Sequence, residues 1–560
     1  MRFIVLILSY LIVPFSYAQQ QILSEHEIQI KQGLERIKNN TDPFLQRQNI
    51  FLQNSYAQED KDKVDNATTE CFDIKNITIE GNTQIDKKVL NNITDAFVDD
   101  CLNLYKINQL ISAISNQYLQ AGYTTSRAYI APQNLKDGQL TLIVVEGVIE
   151  AFNIDKTQLT QRQLMLAFPT KIEKVLNLRD LEQGLENLNR LSQNQVTTSL
   201  TPGSFQGASI IELSNQNSKP WQSSISLNNN GNEETGKHQL DLFYVHNNLF
   251  GVNDNIVATA SSNVGGKNLD HAISRSYSLN MDLPYHYWLF ALSNSFFEYE
   301  QTIQGNSVNF ITSGTSLSTR LSIENRIYRD QNSTFDVRFA LSRKESKNFL
   351  EDIFLETSSR TLYFWDFSGN YKQSIPSGNI DFSFQISKSV PWFGAKRKVV
   401  AAENDFQFTR YQLNGAMNLF FEWGTQTVRY QVSGQYTLAP KNIILSEGFS
   451  VGGRYTVRGI SEDSLYGYRG GYIRNDLTFP LTIDSTYLSQ LSLSVGLDAG
   501  TTSASDFPEM EHKWVTGTIF SLHASRNNIN LALAYAKALH IPDILQANNE
   551  QFDFKIQINF

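Results

Sequence analysis

The sequence predicts an outer-membrane antiparallel β-barrel of about sixteen strands, preceded by two small α+β modules and a short N-terminal helix. Three observations lead to this fold class. A secretory signal opens the chain, no later apolar stretch is long enough for a transmembrane helix, and residues 221–560 alternate between apolar and polar side chains. Aromatic residues make up 12% of the chain although its mean hydropathy is −0.32. This combination suits strands that have only one lipid-facing side.

Residues 1–18 have the parts of a secretory signal peptide. Arg2 supplies the positive start, an apolar run follows it, and “SYA”, ending at Ala18, places small residues at the two positions that a signal peptidase reads. A membrane anchor is the alternative, but the apolar run is short for a span. We therefore expect cleavage after Ala18.

Residues 19–39 are predicted to hold one short helix, which covers residues 24–38. Ser24 and Glu27 form a capping box at its start. The helix is mostly polar and has no core of its own, so it must dock against another part of the chain, and a polar place would suit it. Residues 40–70 lack periodicity and are predicted to be a linker.

Residues 71–150 and 151–219 follow one plan of a strand, two helices and two strands. Helical patterns cover residues 87–96 and 107–120 in the first segment and residues 160–168 and 177–191 in the second. A strand pattern precedes the helices, and two further strand patterns follow them. The sequence therefore predicts two similar α+β modules in tandem.

Residues 220–560 read as a long series of strands. In “TFDVRFALSR”, Phe335, Val337 and Phe339 share one face, and Asp336 and Arg338 share the other. A soluble sandwich also alternates, but strands of ~9–11 residues with charges on the polar face are typical of a membrane barrel. The chain alternates to its last residue, as a closing barrel strand would. In lipid, only a closed barrel pairs every backbone group of its strands.

The chain has two cysteines, Cys71 and Cys101. Because the compartment beyond a secretory signal is oxidising, a disulfide between them is predicted. It would close a loop of about 30 residues and contribute ~3–4 kcal/mol of stability. Two buried free thiols are the alternative. Two cysteines are too few for a closed zinc site, and we expect neither a metal nor a cofactor.

Composition and motifs also exclude function classes. The net charge is −9, so no basic surface of the size that nucleic acids require is expected. An outer-membrane protease or acyltransferase would need a nucleophile or paired acids. The eight histidines are scattered, and the chain has neither a G-x-S-x-G nor an H-E-x-x-H motif. We expect that the protein is not an enzyme.

Several stretches together resemble one family. They are “YLQAGYTTSRAYIAPQNLKDGQLTLIVVEG” in the first module, “LNLRDLEQGLENLNRL” in the second, and “SLNNNGNEETGKHQ” and “HNNLFGVNDNI” at the start of the barrel. With the order of helix, linker, two modules and barrel, they resemble the TpsB family of two-partner secretion transporters, within the Omp85 superfamily. The modules resemble POTRA domains. The resemblance covers nearly the whole mature chain.

The segment “TVRGI” resembles the family's VRGY/F motif, which lies at the tip of a long sixth extracellular loop that folds back into the lumen. The motif is matched by Val457, Arg458, Gly459 and Ile460. Gly459 permits a tight turn at the tip. Ile460 departs from the family pattern, which has an aromatic residue there, so no stacking is expected at this position.

The resemblance implies that the arginine of this motif pairs with an aspartate on the inner barrel wall. The wall motif G-x-D-x-G is matched by “GLDAG”, with Gly496, Asp498 and Gly500. The expected pair is therefore Arg458 with Asp498, in a narrow lumen where an unpaired charge is costly. A solvated loop charge is the alternative for Arg458. Arg454 has no assigned partner.

The resemblance also implies a function. The expected protein is an outer-membrane transporter of a two-partner (type V) secretion system, with its POTRA domains in the periplasm. These would bind an unfolded TpsA-type exoprotein, namely a haemolysin, an adhesin or a contact-dependent inhibition toxin. The N-terminal helix would plug the resting lumen and leave when transport begins. Outer-membrane lipid and, during biogenesis, the barrel-assembly machinery are further expected partners of a monomer that binds no nucleic acid.

Two other transport functions remain as alternatives. An Omp85-type assembly factor would insert barrels into the outer membrane, but such factors usually carry more POTRA domains and lack a plug helix. A passive porin would not need residues 71–219. The sequence does not identify the secreted partner.

Overall fold

The computed structural model describes most of the chain after its N-terminal segment. The described residues are 28–36, 38, 71–154, 159–264, 271–304, 308–395, 407–441, 443–481, 488–504 and 508–560. The predicted signal peptide (residues 1–18), the linker (residues 40–70) and the capping-box residues Ser24 and Glu27 lie outside them. Within the described ranges, no helix combines the length and the apolar character needed to cross a membrane.

The described part of the N-terminal helix, α1, comprises residues 28–36 and 38. The first module follows it. Its elements are β1 (Phe72–Ile74), β2 (Asn76–Glu80), α2 (Lys87–Thr94), β3 (Asp100–Leu102), α3 (Leu104–Gln120), β4 (Arg127–Ile130) and β5 (Gln139–Val145). β5 is the centre of a three-stranded sheet, parallel to β2 and antiparallel to β4, and β1 pairs with β3.

The second module repeats this arrangement. Its elements are β6 (Val148–Ile154), α4 (Gln161–Ala167), α5 (Leu178–Asn189), β7 (Val196–Pro202) and β8 (Ala208–Asn215). β8 is the central strand, parallel to β6 and antiparallel to β7. The module therefore begins with Val148 and not at residue 151 as predicted, because β6 pairs only within the second sheet.

Local sequence explains where the helices begin and which face they bury. Asn103 caps α3 by accepting a hydrogen bond from the Lys106 amide, and Thr160 with Gln163 forms a capping box on α4. In α3, apolar side chains at helical spacing face the sheet and form the core of the first module with residues of β5. A separate apolar cluster lies between α4, α5 and the second sheet.

The remaining strands belong to the barrel and to one of its loops. They are β9 (Trp221–Asn228), β10 (Gln239–Asn247), β11 (Asn255–Asn263), β12 (Ile273–Tyr285), β13 (Trp288–Gln304), β14 (Asn309–Arg329), β15 (Ser333–Leu350), β16 (Ile353–Phe354), β17 (Arg360–Ile375), β18 (Gly378–Val390), β19 (Thr409–Trp423), β20 (Gln426–Leu438), β21 (Phe449–Val451), β22 (Leu465–Gly467), β23 (Arg469–Leu481), β24 (Gln490–Ala504), β25 (Lys513–Arg526), β26 (Ile529–His540) and β27 (Glu550–Asn559).

Sixteen of the described strands form a closed antiparallel barrel, which confirms the predicted fold class. β15 pairs directly with β17, so the two-residue β16 is only an extension of β15. β21 and β22 form a hairpin of their own. The barrel closes where β27 pairs with β9, from Lys555 opposite Asn228 to Asn559 opposite Ser224.

Several strands are longer than the predicted ~9–11 residues. β14 has 21 residues and β15 has 18. At the far end of β15, Arg343, Glu345 and Lys347 lie next to one another on the outer face and form ion pairs. Charges there are compatible only with water, so these strands continue beyond the apolar band of the barrel. The prediction counted only the membrane-spanning part.

The two faces of the barrel differ as the alternation predicts. On β15, Phe339 and Leu341 are exposed on the outer face, whereas Asp336 and Ser342 are buried in the lumen. One end of the barrel, called the turn end, has short connections such as residues 286–287 and contacts the second module. The opposite end, called the loop end, has the long connections.

Candidate functional site: the lumen loop and its contacts

The connection between β20 and β23, residues 439–468, folds back into the barrel and is called the lumen loop. It contains a 3₁₀ turn, Leu445–Glu447, and the hairpin of β21 and β22. Its apolar side chains form a cluster with the inner wall. The buried members are Phe449, Val451, Val457, Ile460, Leu465, Val515, Ala538 and Leu545. Ile460, where the family has an aromatic residue, is fully buried by this packing.

Arg458 lies at the tip of the lumen loop and forms a two-pronged contact with Asp498 on β24. Its Nε donates to Oδ2 of Asp498 and its Nη2 donates to Oδ1, both at 2.6 Å. The Arg458 backbone N–H also donates to Oδ2 at 3.0 Å. Arg458 is 7% exposed and Asp498 is 3% exposed. The two residues expected to pair are therefore in contact and shielded from water, where a charge-assisted fork is strong.

A second carboxylate, Asp476 on β23, completes the contact. Arg458 Nη1 donates to Asp476 Oδ1 at 2.7 Å. Sequence reasoning missed Asp476. Alternation along “RNDLTF” places it on the lumen face, but only the register of β23 against β24, which sets Asp476 opposite Gly496, shows that it is near Asp498. One arginine therefore joins a loop to two adjacent wall strands.

The glycines of the wall motif leave room for the loop. A Cβ at Gly496 would lie 2.6 Å from Arg458 Nη2, and a Cβ at Gly500 would lie 2.2 Å from a methyl group of Val451. Gly517 on β25, which sequence reasoning missed, is even closer, because a Cβ there would meet the Arg458 carbonyl oxygen at 1.9 Å. The close approach of loop and wall thus requires three small residues.

Gly459 follows the arginine with a φ of +90°, a conformation that residues with a Cβ rarely adopt. A Cβ at this position would also lie 2.3 Å from the backbone of Lys537 on β26. Both the turn and the space therefore require glycine at the tip.

Arg454, to which the sequence assigned no partner, forms an ion pair with Asp553. Its Nη2 lies 2.6 Å from Asp553 Oδ1 on β27 and also donates to the backbone oxygen of Asn229, just after β9, at 3.3 Å. The alternation of “FDFKIQINF” puts Asp553 on the face opposite the phenylalanines, but nothing in the sequence links it to the loop. Arg454 contacts both edges of the seam that closes the barrel.

Helix α1 packs against lumen-facing side chains. Ile30 is buried against Phe297 and Tyr299, two aromatic residues of β13. Arg36 Nη2 donates to Ser274 Oγ of β12 at 3.0 Å. Polar contacts with two loops accompany these. Asn232, between β9 and β10, donates to Gln29 at 3.1 Å and to Gln32, and Lys31 donates to the Gly448 carbonyl oxygen at 2.8 Å.

The second module contacts the turn end of the barrel through buried charges on α5. Glu186 accepts hydrogen bonds from Arg326 and Arg329 of β14, each at 2.7 Å. Arg329 also lies 3.3 Å from Glu182, and Arg326 forms a fork with Asp336 of β15. All five side chains are almost completely buried. This network joins α5 to the wall and was not predicted, because the pattern of α5 suggested only an amphipathic helix.

One acid at this junction has a shifted pKa. Burial raises the pKa of Asp180 on α5 above its ordinary value, and a hydrogen bond from the Tyr287 hydroxyl at 2.5 Å partly opposes this shift. Tyr287 lies in the short turn between β12 and β13. The junction therefore contains a carboxyl group whose charged form is disfavoured.

Cys71 and Cys101 form a disulfide with a Cα–Cα distance of 5.3 Å. It joins the residue before β1 to β3, across α2. Among the described residues, no group of three or more His, Cys, Asp or Glu side chains is arranged to hold a metal ion.

Family models match three parts of the chain. The family described as haemolysin secretion/activation protein ShlB/FhaC/HecB matches residues 207–523. The POTRA domain of the ShlB type matches residues 72–147, and a further POTRA domain model matches residues 148–202. The second match begins at the residue where β6 begins.

Relatives and solved structures give the same result. The outer membrane transporter CdiB of Dickeya dadantii (strain 3937) is 32% identical over 424 residues, which are 74% of this chain and 74% of the relative. The hemolysin transporter protein ShlB of Serratia marcescens is 30% identical and covers 77% of this chain and 76% of its own. CdiB from Escherichia coli has a similar fold, with a TM-score of 0.85 at 24% identity over 96% of this chain and 98% of that one.

The family model covers more than half of the chain, and the relatives match most of both sequences. The first relative is named as an outer membrane transporter, and the second as a transporter of hemolysin. The chain belongs to the ShlB/FhaC/HecB family of haemolysin secretion/activation proteins, the outer-membrane transporters of two-partner secretion, and its POTRA domains lie in the periplasm.

Proposed function

We propose that this transporter binds one large, unfolded TpsA-type exoprotein with its POTRA domains and passes it through the barrel to the cell surface. The content of the lumen carries this proposal. Helix α1 and the lumen loop both contact the inner wall, through hydrogen bonds and ion pairs as well as through apolar clusters. A passage filled by two separable elements suits a transporter that is closed at rest.

The POTRA domains offer sheet edges to an extended chain. In POTRA1, β4 is an edge strand on which Tyr129 and Ile130 are exposed. In POTRA2, β7 is an edge strand. An unfolded exoprotein would add a strand to such an edge, with backbone hydrogen bonds giving affinity and side chains giving selectivity. The periplasm has no ATP supply for transport, so folding of the exoprotein outside the cell drives its movement.

Helix α1 acts as the plug of the resting lumen. Its contacts with Asn232, Ser274 and Gly448 are hydrogen bonds, each worth about 1 kcal/mol when neutral and somewhat more when charged, so the helix leaves without unfolding the barrel. Deletion of residues 19–39 should raise channel conductance in planar bilayers while secretion largely persists. Unchanged conductance would mean that the helix does not block the passage.

The expected partner is a haemolysin, an adhesin or a contact-dependent inhibition toxin. Among the relatives, CdiB is named only as an outer membrane transporter, and ShlB and HpmB are named as hemolysin transporters. Outer-membrane lipid surrounds the barrel, the barrel-assembly machinery inserts it, and the protein works as a monomer without nucleic acid, cofactor or catalytic activity.

The direct test is secretion of the exoprotein encoded next to this gene, with and without the transporter. The exoprotein should reach the cell surface or medium only when the transporter is present. The rival function, assembly of other barrels, predicts a different result. In that case, loss of this protein would lower the amount of folded outer-membrane barrels and would not affect secretion of the exoprotein that is encoded next to this gene.

A separate experiment tests the contact between Arg458 and Asp498. Arg458→Ala should reduce secretion more than Asp498→Ala, because it removes the cation that pairs with buried Asp498 and partly exposed Asp476, whereas Asp498→Ala leaves Arg458 paired with Asp476. The double variant should lose less than the sum of the two single losses, since the residues are coupled. Arg275→Ala, at an exposed pair on β12, is the matched control and should secrete normally. Additive losses would mean that Arg458 and Asp498 act independently.

A further inference from the structure

The base of the lumen loop holds a buried carboxylate, Glu447, which contacts other wall strands than Arg458 does. Glu447 is 4% exposed. Its Oε1 accepts a hydrogen bond from Lys344 Nζ of β15 at 2.7 Å, and its Oε2 accepts one from Arg410 Nη1 of β19 at 3.1 Å. Arg410 also donates to the Glu447 carbonyl oxygen at 2.9 Å. One loop acid is therefore bound by two wall cations, and this group is called the Glu447 contact.

Apolar packing encloses the Glu447 contact. Ile443 and Ile444, which precede it in the loop, are buried against side chains of the wall. Lys344 Nζ lies 5.2 Å from the centre of the Phe364 ring of β17. Exclusion of water strengthens the attraction between the charges and makes an unpaired one costly. The base of the loop is thus fixed to the wall at β15, β17 and β19, whereas its tip is fixed at β23 and β24.

The next residue connects this base to the plug helix. The Gly448 carbonyl oxygen accepts the hydrogen bond from Lys31 Nζ of α1 at 2.8 Å. Lys31 therefore reaches the loop one peptide unit from the buried carboxylate. When α1 leaves, the Gly448 carbonyl oxygen loses its hydrogen bond from Lys31. Conversely, a change at Glu447 moves the Gly448 carbonyl oxygen, which is the acceptor for Lys31. The two contacts share one short segment of backbone.

We propose that Glu447 is a second positioning residue of the lumen loop and that, through Gly448 and Lys31, it couples the position of α1 to the position of the loop base. This inference rests on the proposed function, in which α1 leaves the lumen. While α1 is in place, the base stays bound to the wall. Departure of α1 loosens the base first, and the Arg458 contact with β23 and β24 holds the tip until the exoprotein arrives.

Channel recordings of purified transporter in planar bilayers test this coupling without any exoprotein. Glu447→Gln and Lys31→Met should each raise the ratio of open to closed states roughly tenfold, the size expected for loss of a hydrogen bond to a charged group. In the double variant, the ratio of open to closed states should increase by clearly less than the product of the two single increases, because the contacts are coupled. Glu447→Asp, which keeps the charge, should restore much of the closed state.

Glu345→Gln is the matched control. Glu345 is the neighbour of Lys344 on β15, forms ion pairs with Arg343 and Lys347 and points outward, so this variant should behave as the unmodified protein. Heat-modifiable migration in gels should show that every variant assembles. If Glu447→Gln does not assemble, Lys344→Met, which removes one of the two wall cations from Glu447, replaces it in the comparison with Lys31→Met. The coupling would be overturned if the double variant increased the open-to-closed ratio by the full product of the single increases, or if the recordings did not change. A failure of secretion alone would instead count against the proposed function.

Discussion

The two POTRA domains share one topology, but the polar faces of their longer helices have different surroundings. In POTRA1, α3 leaves Gln109 and Asn116 exposed opposite its apolar face. In POTRA2, α5 buries polar residues as completely as leucines, including Glu182 and Glu186, because its polar face meets the barrel. The two helices thus have the same amphipathic pattern, but the polar face of α3 is exposed to water and the polar face of α5 forms a buried ionic interface. The spacing of apolar residues identifies the apolar face of a helix, but it does not tell whether the polar face contacts water or another part of the protein.

The two POTRA domains also differ in the contacts that stabilise them. POTRA1 has its own apolar core and a disulfide, and it reaches POTRA2 through contacts such as the Leu178 amide to the Gly122 carbonyl oxygen at 2.8 Å. POTRA2 is joined to the turn end of the barrel by the charges on α5. We therefore expect changes in POTRA1 to remain local and changes on α5 to alter the junction with the barrel.

The largest effect is expected from Glu186→Ala. The change removes a buried carboxylate that contacts Arg326 and Arg329, and loss of one member of a buried ion pair costs about 3–5 kcal/mol. The junction should become sensitive to proteases and the thermal unfolding transition should fall. Glu80→Ala, at an exposed position in POTRA1, is the control and should change stability by less than about 0.5 kcal/mol. Equal behaviour of both variants would remove the contrast between the domains.

The next effect concerns POTRA1 alone. Replacement of both Cys71 and Cys101 by serine should destabilise this domain by about 2–4 kcal/mol, because the unfolded chain gains freedom. Limited proteolysis should then release POTRA1 fragments while the barrel keeps its heat-modifiable migration in gels. Reduction of the unmodified protein with a thiol should give the same pattern. A lower barrel stability in the serine variant would show that POTRA1 is not independent.

Gly184→Ala tests the packing of α5 on its apolar side. In an exposed helix this change stabilises by about 1 kcal/mol. Here a Cβ would lie 2.0 Å from the Phe168 ring, so overpacking should give a net destabilisation of about 1–3 kcal/mol, read from chemical unfolding. Phe168→Leu should recover part of the loss when it is combined with Gly184→Ala. A stabilised single variant would show that the ring moves freely.

The smallest effect is a pH dependence at the junction. Because burial raises the pKa of Asp180 in the folded state, the folded protein binds a proton more tightly than the unfolded chain does. Stability should therefore fall as the pH rises from the ordinary carboxyl pKa through the raised one. Asp180→Asn should flatten this part of a stability–pH curve. An unchanged slope in Asp180→Asn would mean that another group causes this part of the curve.

Period-two alternation predicted the barrel, and the two motifs predicted that Arg458 and Asp498 belong together. The other loop contacts were not predictable in this way. Asp476 needs the register of β23 against β24, and Asp553 needs the path of the loop across the lumen. Glu447 lies in “LSEGFS”, which resembles no motif, and its partners come from strands that only barrel closure brings together. Local patterns determine elements and faces, whereas contacts between distant segments depend on tertiary geometry.

The seam between β9 and β27 has a consequence for the time at which the barrel forms. It joins Asn228 to Lys555, so the first strand of the ring pairs with the last one to be synthesised. Contacts of such long sequence separation form slowly, because a very large loop must close before they contribute. Until then the sheet has two open edges whose backbone groups have no partners, a state that lipid does not tolerate. The chain must therefore be kept from both lipid and self-association until its final strand has been delivered.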